Sequence, residues 1–183
     1  MKKLYAILAL ALLSVSAASA LEVIDFEGIP QDYWYFGGAV NLGSYYSGVT
    51  FGPTTYILET QIYGYNDASY PPHSPVSVAV SISDPNIRAD FTTGTVSHVG
   101  VWYTSGAGTG LYLEGYDAGN NLVASTWGAD NTGTNSFLEI NGAGIAYAII
   151  HDSGDFFTID DFEYTPESTA TQVGTWSDVK ALY

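Results

Sequence analysis

The stretch Phe156-Phe157-Thr158-Ile159-Asp160-Asp161-Phe162-Glu163-Tyr164 reads as a β-strand entering a hydrophobic core. Aromatic and β-branched residues dominate it, and these suit a pleated, half-buried setting. Yet two adjacent aspartates sit inside it, with Glu163 next but one. An ionised carboxylate loses hydration in such a place, so something must compensate the pair.

Working outward, the same strand-like alternation recurs along the chain. In Val23-Ile24-Asp25-Phe26-Glu27, Ile24 and Phe26 share one face and Asp25 and Glu27 the other. Segments 56–65, 76–82, 87–91, 96–103, 110–116, 122–126, 137–140 and 145–150 continue the pattern, with Val76, Val78, Val80 and Ile82 on one side of theirs. Asp117-Ala118-Gly119-Asn120-Asn121 is the turn of a hairpin joining 110–116 to 122–126. Residues 28–48, rich in Gly and Tyr, are expected on the surface as an extended loop. Many short strands between Gly, Asn, Asp and Pro turns imply an all-β fold, a jelly-roll-like antiparallel β-sandwich. No internal repeat is visible.

The first twenty residues stand apart. Lys2 and Lys3 precede the apolar run 4–13, which ends in Ala18-Ser19-Ala20, the layout of a secretory signal cleaved after Ala20. The run is shorter than the roughly 20 apolar residues of a membrane span. Three regions are therefore expected: signal peptide 1–20, β-sandwich 21–165, and linker and C-terminal tail 166–183. The protein is expected to be secreted, extracellular or periplasmic, without a membrane span in the mature chain. In the tail, Trp176, Val179 and Leu182 would share one face of a short helix. Its ending resembles the T-W-G-x-V-K-A-L-Y type found on exported bacterial proteins.

The formal net charge is −15. Removal of the signal would leave only Arg88 and Lys180 against nineteen acids. Such a surface repels nucleic acid and anionic lipid and favours divalent cations and neutral ligands. There is no cysteine, so no disulfide staples the domain. A bound metal would serve instead, since whatever binds only the native state stabilises it.

In sandwiches whose ends meet, the first and last strands run side by side, bringing Glu27 toward Asp160 or Asp161. Like charges so placed raise each other's pKa, whereas Ca²⁺ takes 6–8 oxygen ligands and reverses the sign of the interaction. Glu27, Asp160 and Asp161 are thus candidate ligands of a structural calcium. The alternative is a solvated strand end with one acid capping a loop.

Phe26-Glu27-Gly28 near the start and Ile159-Asp160-Asp161-Phe162 near the end resemble the calcium-stabilised jelly-roll carbohydrate-binding modules. The resemblance implies that Glu27 and an Asp of the Asp160-Asp161 pair help to hold a calcium. The middle of the chain, Val96-Ser97-His98-Val99-Gly100-Val101 and the hairpin Tyr116 to Asn120, is similar to exported bacterial sandwich domains of the sorting-signal type. Residues 166–183 do not match the sorting tail of that group, with its membrane span and basic cluster, so membrane anchoring is not carried over from the resemblance.

Aromatic residues supply a candidate binding surface. Trp102 and His98 share a face of 96–103, and Tyr112, Glu114 and Tyr116 share a face of 110–116, with Trp127 following the hairpin. Flat rings beside hydrogen-bonding groups suit the C–H faces and hydroxyl edges of sugars. Trp102, Tyr112, Glu114, Tyr116 and Trp127 are therefore the expected ligand-binding set. The cluster Tyr33-Trp34-Tyr35-Phe36 is a second candidate platform, and either ring set also suits a core.

No catalytic arrangement stands out. The chain lacks cysteine, a G-x-S-x-G elbow and an H-E-x-x-H motif, and His73, His98 and His151 are its only histidines. The sequence points to a non-catalytic binding module whose partner is carbohydrate or another extracellular matrix or surface component. The competing reading is a structural or adhesive surface protein without specific glycan binding.

Overall fold

The structure, a computed structural model, describes residues 19–33, 40–60, 65–106, 108, 110–152, 154 and 156–168. Residues 19–167 form one compact unit. Residues 1–18 of the expected signal peptide 1–20, residues 34–36 of the aromatic cluster and residues 169–183 of the expected tail lie outside the described residues.

Among the described residues eleven strands run in chain order: β1 (Glu22–Ile24), β2 (Val49–Phe51), β3 (Thr55–Glu59), β4 (Ser77–Ser81), β5 (Asn86–Phe91), β6 (Val96–Ser105), β7 (Leu111–Tyr116), β8 (Leu122–Gly128), β9 (Ser136–Ile145), β10 (Tyr147–His151) and β11 (Phe157–Pro166). The single helical element among the described residues is a 3₁₀ turn, Gln31–Tyr33. One sheet has the order β3-β4-β11-β6-β9, with β1 also paired to β11; the other has the order β2-β5-β10-β7-β8. All registered pairings are antiparallel. The expected all-β sandwich is what the chain forms.

Period-two alternation sends one side of each strand inward. Val99, Val101 and Tyr103 of β6, Leu138 and Ile140 of β9, and Ile159, Phe162 and Tyr164 of β11 meet Ile87 and Ala89 of β5, Leu111 and Leu113 of β7, and Ala148 and Ile150 of β10. Each fully buried side chain of this size removes apolar area worth about 1.5–3 kcal/mol from water. The 28–48 segment contributes to this core as well as to the surface, for Ile29 and Leu42 are buried in it.

The valines of β4 depart from the sequence expectation. Ala79 joins the main core, while Val78 and Val80 pack with Leu58, Tyr65 and Ile82 in a second cluster on the outer side of the sheet. Every residue of β4 is buried, so both of its faces are covered. The alternation was right in period; a second layer of chain makes the outer side apolar too.

A bulge in β11 resolves its sequence. Asp160 pairs with Trp102 and Glu163 with Gly100, so Asp161 and Phe162 together stand opposite one residue of β6. Asp161 takes a left-handed backbone, φ 42°. The extra residue shifts the phase, and Phe157, Ile159, Phe162 and Tyr164 all reach the core despite the odd spacing between Ile159 and Phe162. Beyond the bulge, Ile24 pairs with Phe162, Val23 with Glu163 and Glu22 with Tyr164, so the first and last strands are neighbours.

Candidate functional site

The 73–77 segment meets the acids of the first and last strands. Asp160 Oδ2 accepts the backbone N–H groups of His73 (2.7 Å) and Ser74 (2.6 Å), and Oδ1 accepts the N–H of Asp161 (2.7 Å). Glu27 Oε1 accepts the N–H groups of Val76 and Ser77, each at 2.8 Å. Asp161 turns aside, its Oδ2 lying 2.5 Å from His73 Nδ1. Glu27 and Asp160 are therefore brought together, and Asp161 is one step removed, held by an imidazole.

Between the two carboxylates lies one hydroxyl. Ser74 Oγ is 3.0 Å from the Asp25 carbonyl oxygen, 3.1 Å from Glu27 Oε1, and 2.9 and 3.0 Å from Asp160 Oδ1 and Oδ2. A hydroxyl has one proton, so these four acceptors cannot all be satisfied by it. Asp160 is 1% exposed. Burial pushes its carboxyl up to about 6, against the opposing hydrogen bonds from Ser74 and Asp161. Burial, then the charges of Asp25, Glu27 and Asp160, also raise the Tyr46 phenol. Its buried Oη has no hydrogen-bond partner.

The donors gathered here are all hard oxygens, the ligand type calcium takes. No group of three or more His, Cys, Asp or Glu side chains is arranged as a metal centre among the described residues. A cation here would take the Glu27 and Asp160 carboxylates, the Asp25 carbonyl and the Ser74 hydroxyl, with Asp161 outside the set.

The expected aromatic set is divided by the structure. Trp102 lies on β6 in the six-stranded sheet, whereas Tyr112, Glu114 and Tyr116 lie on β7 and Trp127 on β8 in the five-stranded one. Trp102 therefore cannot share one face with the other four. It is also covered: the His73 ring stacks on it at 3.7 Å between centroids and 7° between planes, with Phe137 5.5 Å to the side. Asn135 donates to the Pro72 carbonyl, pinning the same segment.

The outer face of the five-stranded sheet brings the remaining four together. Register places Asn86, His151, Tyr112 and Trp127 in one row across the strands, and Arg88, Ile149, Glu114 and Ser125 in the next. A third row holds Thr50, Asp90, Tyr147 and Tyr116. Trp127 is 52% exposed and Tyr112 40%, which makes them the rings a ligand can reach. Tyr147, by contrast, is 7% exposed, with the Arg88 guanidinium 3.7 Å above its ring.

Supporting contacts hold this face rigid. Tyr112 stacks with His151 (5.2 Å, 12°) and Tyr116 with Tyr147 (5.1 Å, 9°). The Tyr116 hydroxyl donates to Glu114 Oε2 at 2.5 Å, a bond that pushes the phenol up to about 12. Glu114 in turn lies 3.5 Å from His151 Nε2. Gly110 fixes the approach of β8: a side chain there would meet the Gly128 carbonyl at 2.2 Å and Trp127 Nε1 at 2.7 Å. At the other end of the hairpin, Asp117 Oδ1 accepts the N–H groups of Gly119 and Asn121, and Asn120 Oδ1 accepts the Tyr147 hydroxyl at 3.0 Å. That turn sets the register which puts Tyr112 opposite Trp127.

Sequence reading missed Arg88, Asp90, Tyr147 and His151 as members of the face. A signal was present. Arg88 is the single arginine in the chain, and it sits at an outward position of the alternating strand Asn86-Ile87-Arg88-Ala89-Asp90-Phe91.

No family model matches the chain, and no curated protein matches it in sequence. Solved structures similar to it include the K2 cleaved adhesin domain of Lys-gingipain, 15% identical with a TM-score of 0.49, covering 81% of this chain and 99% of that one. The TmCBM61 module in complex with β-1,4-galactotriose is 15% identical with a TM-score of 0.41, covering 75% of this chain and 97% of that one. The tandem CBM22 modules of Paenibacillus barcinonensis Xyn10C are 10% identical with a TM-score of 0.45, covering 88% of this chain and 50% of that one.

Proposed function

We propose that this domain is a non-catalytic carbohydrate-binding module acting outside the cytoplasm. It engages sugar through the outer face of the five-stranded sheet, and a structural calcium joins its first and last strands. The observation that carries the sugar reading is the open row of Tyr112 and Trp127 beside Glu114 and Arg88. Exposed ring faces stack against sugar C–H surfaces, and the flanking carboxylate and guanidinium bond to hydroxyls. Tyr116 and Tyr147 orient Glu114 and Arg88 rather than offering stacking surface of their own.

Calcium would be held by the Glu27 and Asp160 carboxylates with the Asp25 carbonyl and the Ser74 hydroxyl. Four acceptors around one hydroxyl, beside a buried and unsatisfied phenol, form the oxygen-rich setting that supports this. Its role would be to neutralise the Asp160 and Glu27 pair and so stabilise the β1–β11 junction.

The test is titration of the domain against a panel of neutral oligosaccharides, including β-1,4-galactotriose and cellotriose. Binding that is lost in Trp127→Ala and Tyr112→Ala but kept in Trp102→Ala supports the reading. Absence of binding across the panel, with ordered self-association instead, favours the adhesive alternative.

A further inference from the structure

Arg88 is the one fixed positive charge on the proposed sugar-binding face, and it is not free to act as one. Its Nε donates to both Asp90 oxygens (3.0 and 2.9 Å), and its Nη2 donates to Asp90 Oδ1 at 2.6 Å. The guanidinium carbon lies over the Tyr147 ring, 3.7 Å from its centroid. The carboxylate of Asp90 and the ring of Tyr147 both engage Arg88, while its side chain stays 44% exposed. Such a fork has five N–H donors, and Asp90 takes only the edge facing it.

The rest of the face adds negative charge. Glu114, whose Oε2 accepts the Tyr116 hydroxyl, stands in the same row as Arg88, two strands away with Ile149 between them. The chain as a whole carries a formal net charge of −15. A ligand meets a guanidinium whose charge Asp90 already balances, a second carboxylate at Glu114, and a repulsive long-range field. Sugar hydroxyls can accept from the outer edge of Arg88 and donate to Glu114. A carboxylate or sulfate on the ligand would meet that same edge beside the negative charges of Asp90 and Glu114, which repel it.

We infer that Arg88 and Asp90 form a charge-matched donor pair that restricts this face to neutral glycans and excludes uronate- or sulfate-bearing ones. The inference rests on the carbohydrate reading above. Arg88 is a specificity determinant because it offers oriented N–H groups without a net positive charge, and Asp90 is the residue that makes it so.

The experiment uses one polymer in two charge states. Soluble β-1,4-galactan and β-1,4-glucan are each tested by affinity electrophoresis beside the same polymer with its C6 hydroxymethyl groups oxidised to carboxylates. The expected result is that the neutral form binds and the oxidised form binds at least about tenfold more weakly, a difference of about 1.4 kcal/mol. Asp90→Asn frees the Arg88 charge and raises affinity for the oxidised polymer at least about tenfold over the wild type. A second measurement needs no variant. Raising salt from about 0.01 M to about 1 M shortens the screening length from ~30 Å to ~3 Å, so it leaves neutral-polymer affinity nearly constant and strengthens binding of the oxidised form.

Oxidised polymer bound by the wild type as tightly as the neutral one overturns the inference while leaving the sugar-binding face intact. An Asp90→Asn protein with unchanged preference overturns the role given to the pair. If neither polymer is retained in either state, the sugar-binding reading falls, and this inference with it.

Discussion

The two outer faces of the sandwich carry nearly the same chemistry and meet opposite fates. On the six-stranded sheet Trp102 lies beside Phe137 with the His73 ring stacked on it. On the five-stranded sheet Trp127 stands opposite Tyr112, which stacks with His151. Each face thus pairs a tryptophan with an aromatic partner and a histidine. What differs is the 65–77 segment, which returns over the first face and places Tyr65 on Val78 and Val80, His73 on Trp102, and Ser74 on Asp160. Whether an outward ring is packed or left exposed depends on the chain that covers it.

Truncating one tryptophan at a time is the strongest attack on this contrast. Trp102→Ala should lower the unfolding free energy by about 3 kcal/mol, the low end for deleting a packed aromatic, and leave sugar affinity unchanged. Trp127→Ala should leave the melting temperature within about 2 °C and weaken sugar binding at least about tenfold. Paired thermal melts and calorimetric titrations read both quantities. Similar stability losses in the two variants would erase the distinction between the faces.

The covered face also holds the proposed cation. Saturating calcium, at about a hundredfold over its Kd, should stabilise the domain by about 2.7 kcal/mol. In a chain of this length that is on the order of 5–10 °C of melting temperature, removed by chelator. Glu27→Gln should abolish the chelator response, whereas Asp161→Asn should keep most of it. A melt indifferent to chelator in the wild type would count against calcium.

A pH series in chelator isolates Asp160. Its carboxyl is pushed up to about 6 from 3.8, chiefly by burial. The folded state then holds this proton more tightly than the unfolded chain does. Stability should therefore rise as pH falls from about 6 to about 4, and be lost again as pH climbs back through that window, by roughly 2–3 kcal/mol at most. Urea midpoints of the wild type against Asp160→Asn measure it, and the variant should lose this slope.

The smallest effect compares two small residues. A Cβ at Gly100, on the covered face, would lie 2.6 Å from Phe137 and 2.8 Å from Glu163. Gly100→Ala should therefore cost about 1–2 kcal/mol by overpacking. Ser125→Ala, on the open face, should stay within about 0.5 kcal/mol. Melting curves of the two variants decide it.

Strand periodicity carried the fold a long way. The all-β sandwich and the meeting of first and last strands both follow from alternation and from acids placed at the two ends of the chain. Periodicity tells inside from outside but not one outside from the other. Trp102 and Tyr112 are both outward residues on consecutive strands, yet β6 and β7 belong to different sheets. That is why the expected set was divided between two faces. The β11 bulge was legible in principle, since Ile159 and Phe162 are both apolar at an odd separation. Arg88 and Asp90 were passed over because charged residues on the outer side of a strand ordinarily face only water. The cover over Trp102 was not legible, because it depends on hydrogen bonds from His73 and Ser74 to a residue 86 or more positions away.

The antiparallel β1–β11 pair has a mechanical consequence. Glu22 lies opposite Tyr164, so the polypeptide arrives at and departs from the same end of that ladder. Tension applied through both tethers would pull the strands apart sideways rather than slide them lengthwise. The three registered rungs would open one after another, like a zipper, and not together. A domain of this kind would yield at its tethers before the proposed sugar-binding face felt any load, unless an ion rivets the last rung shut.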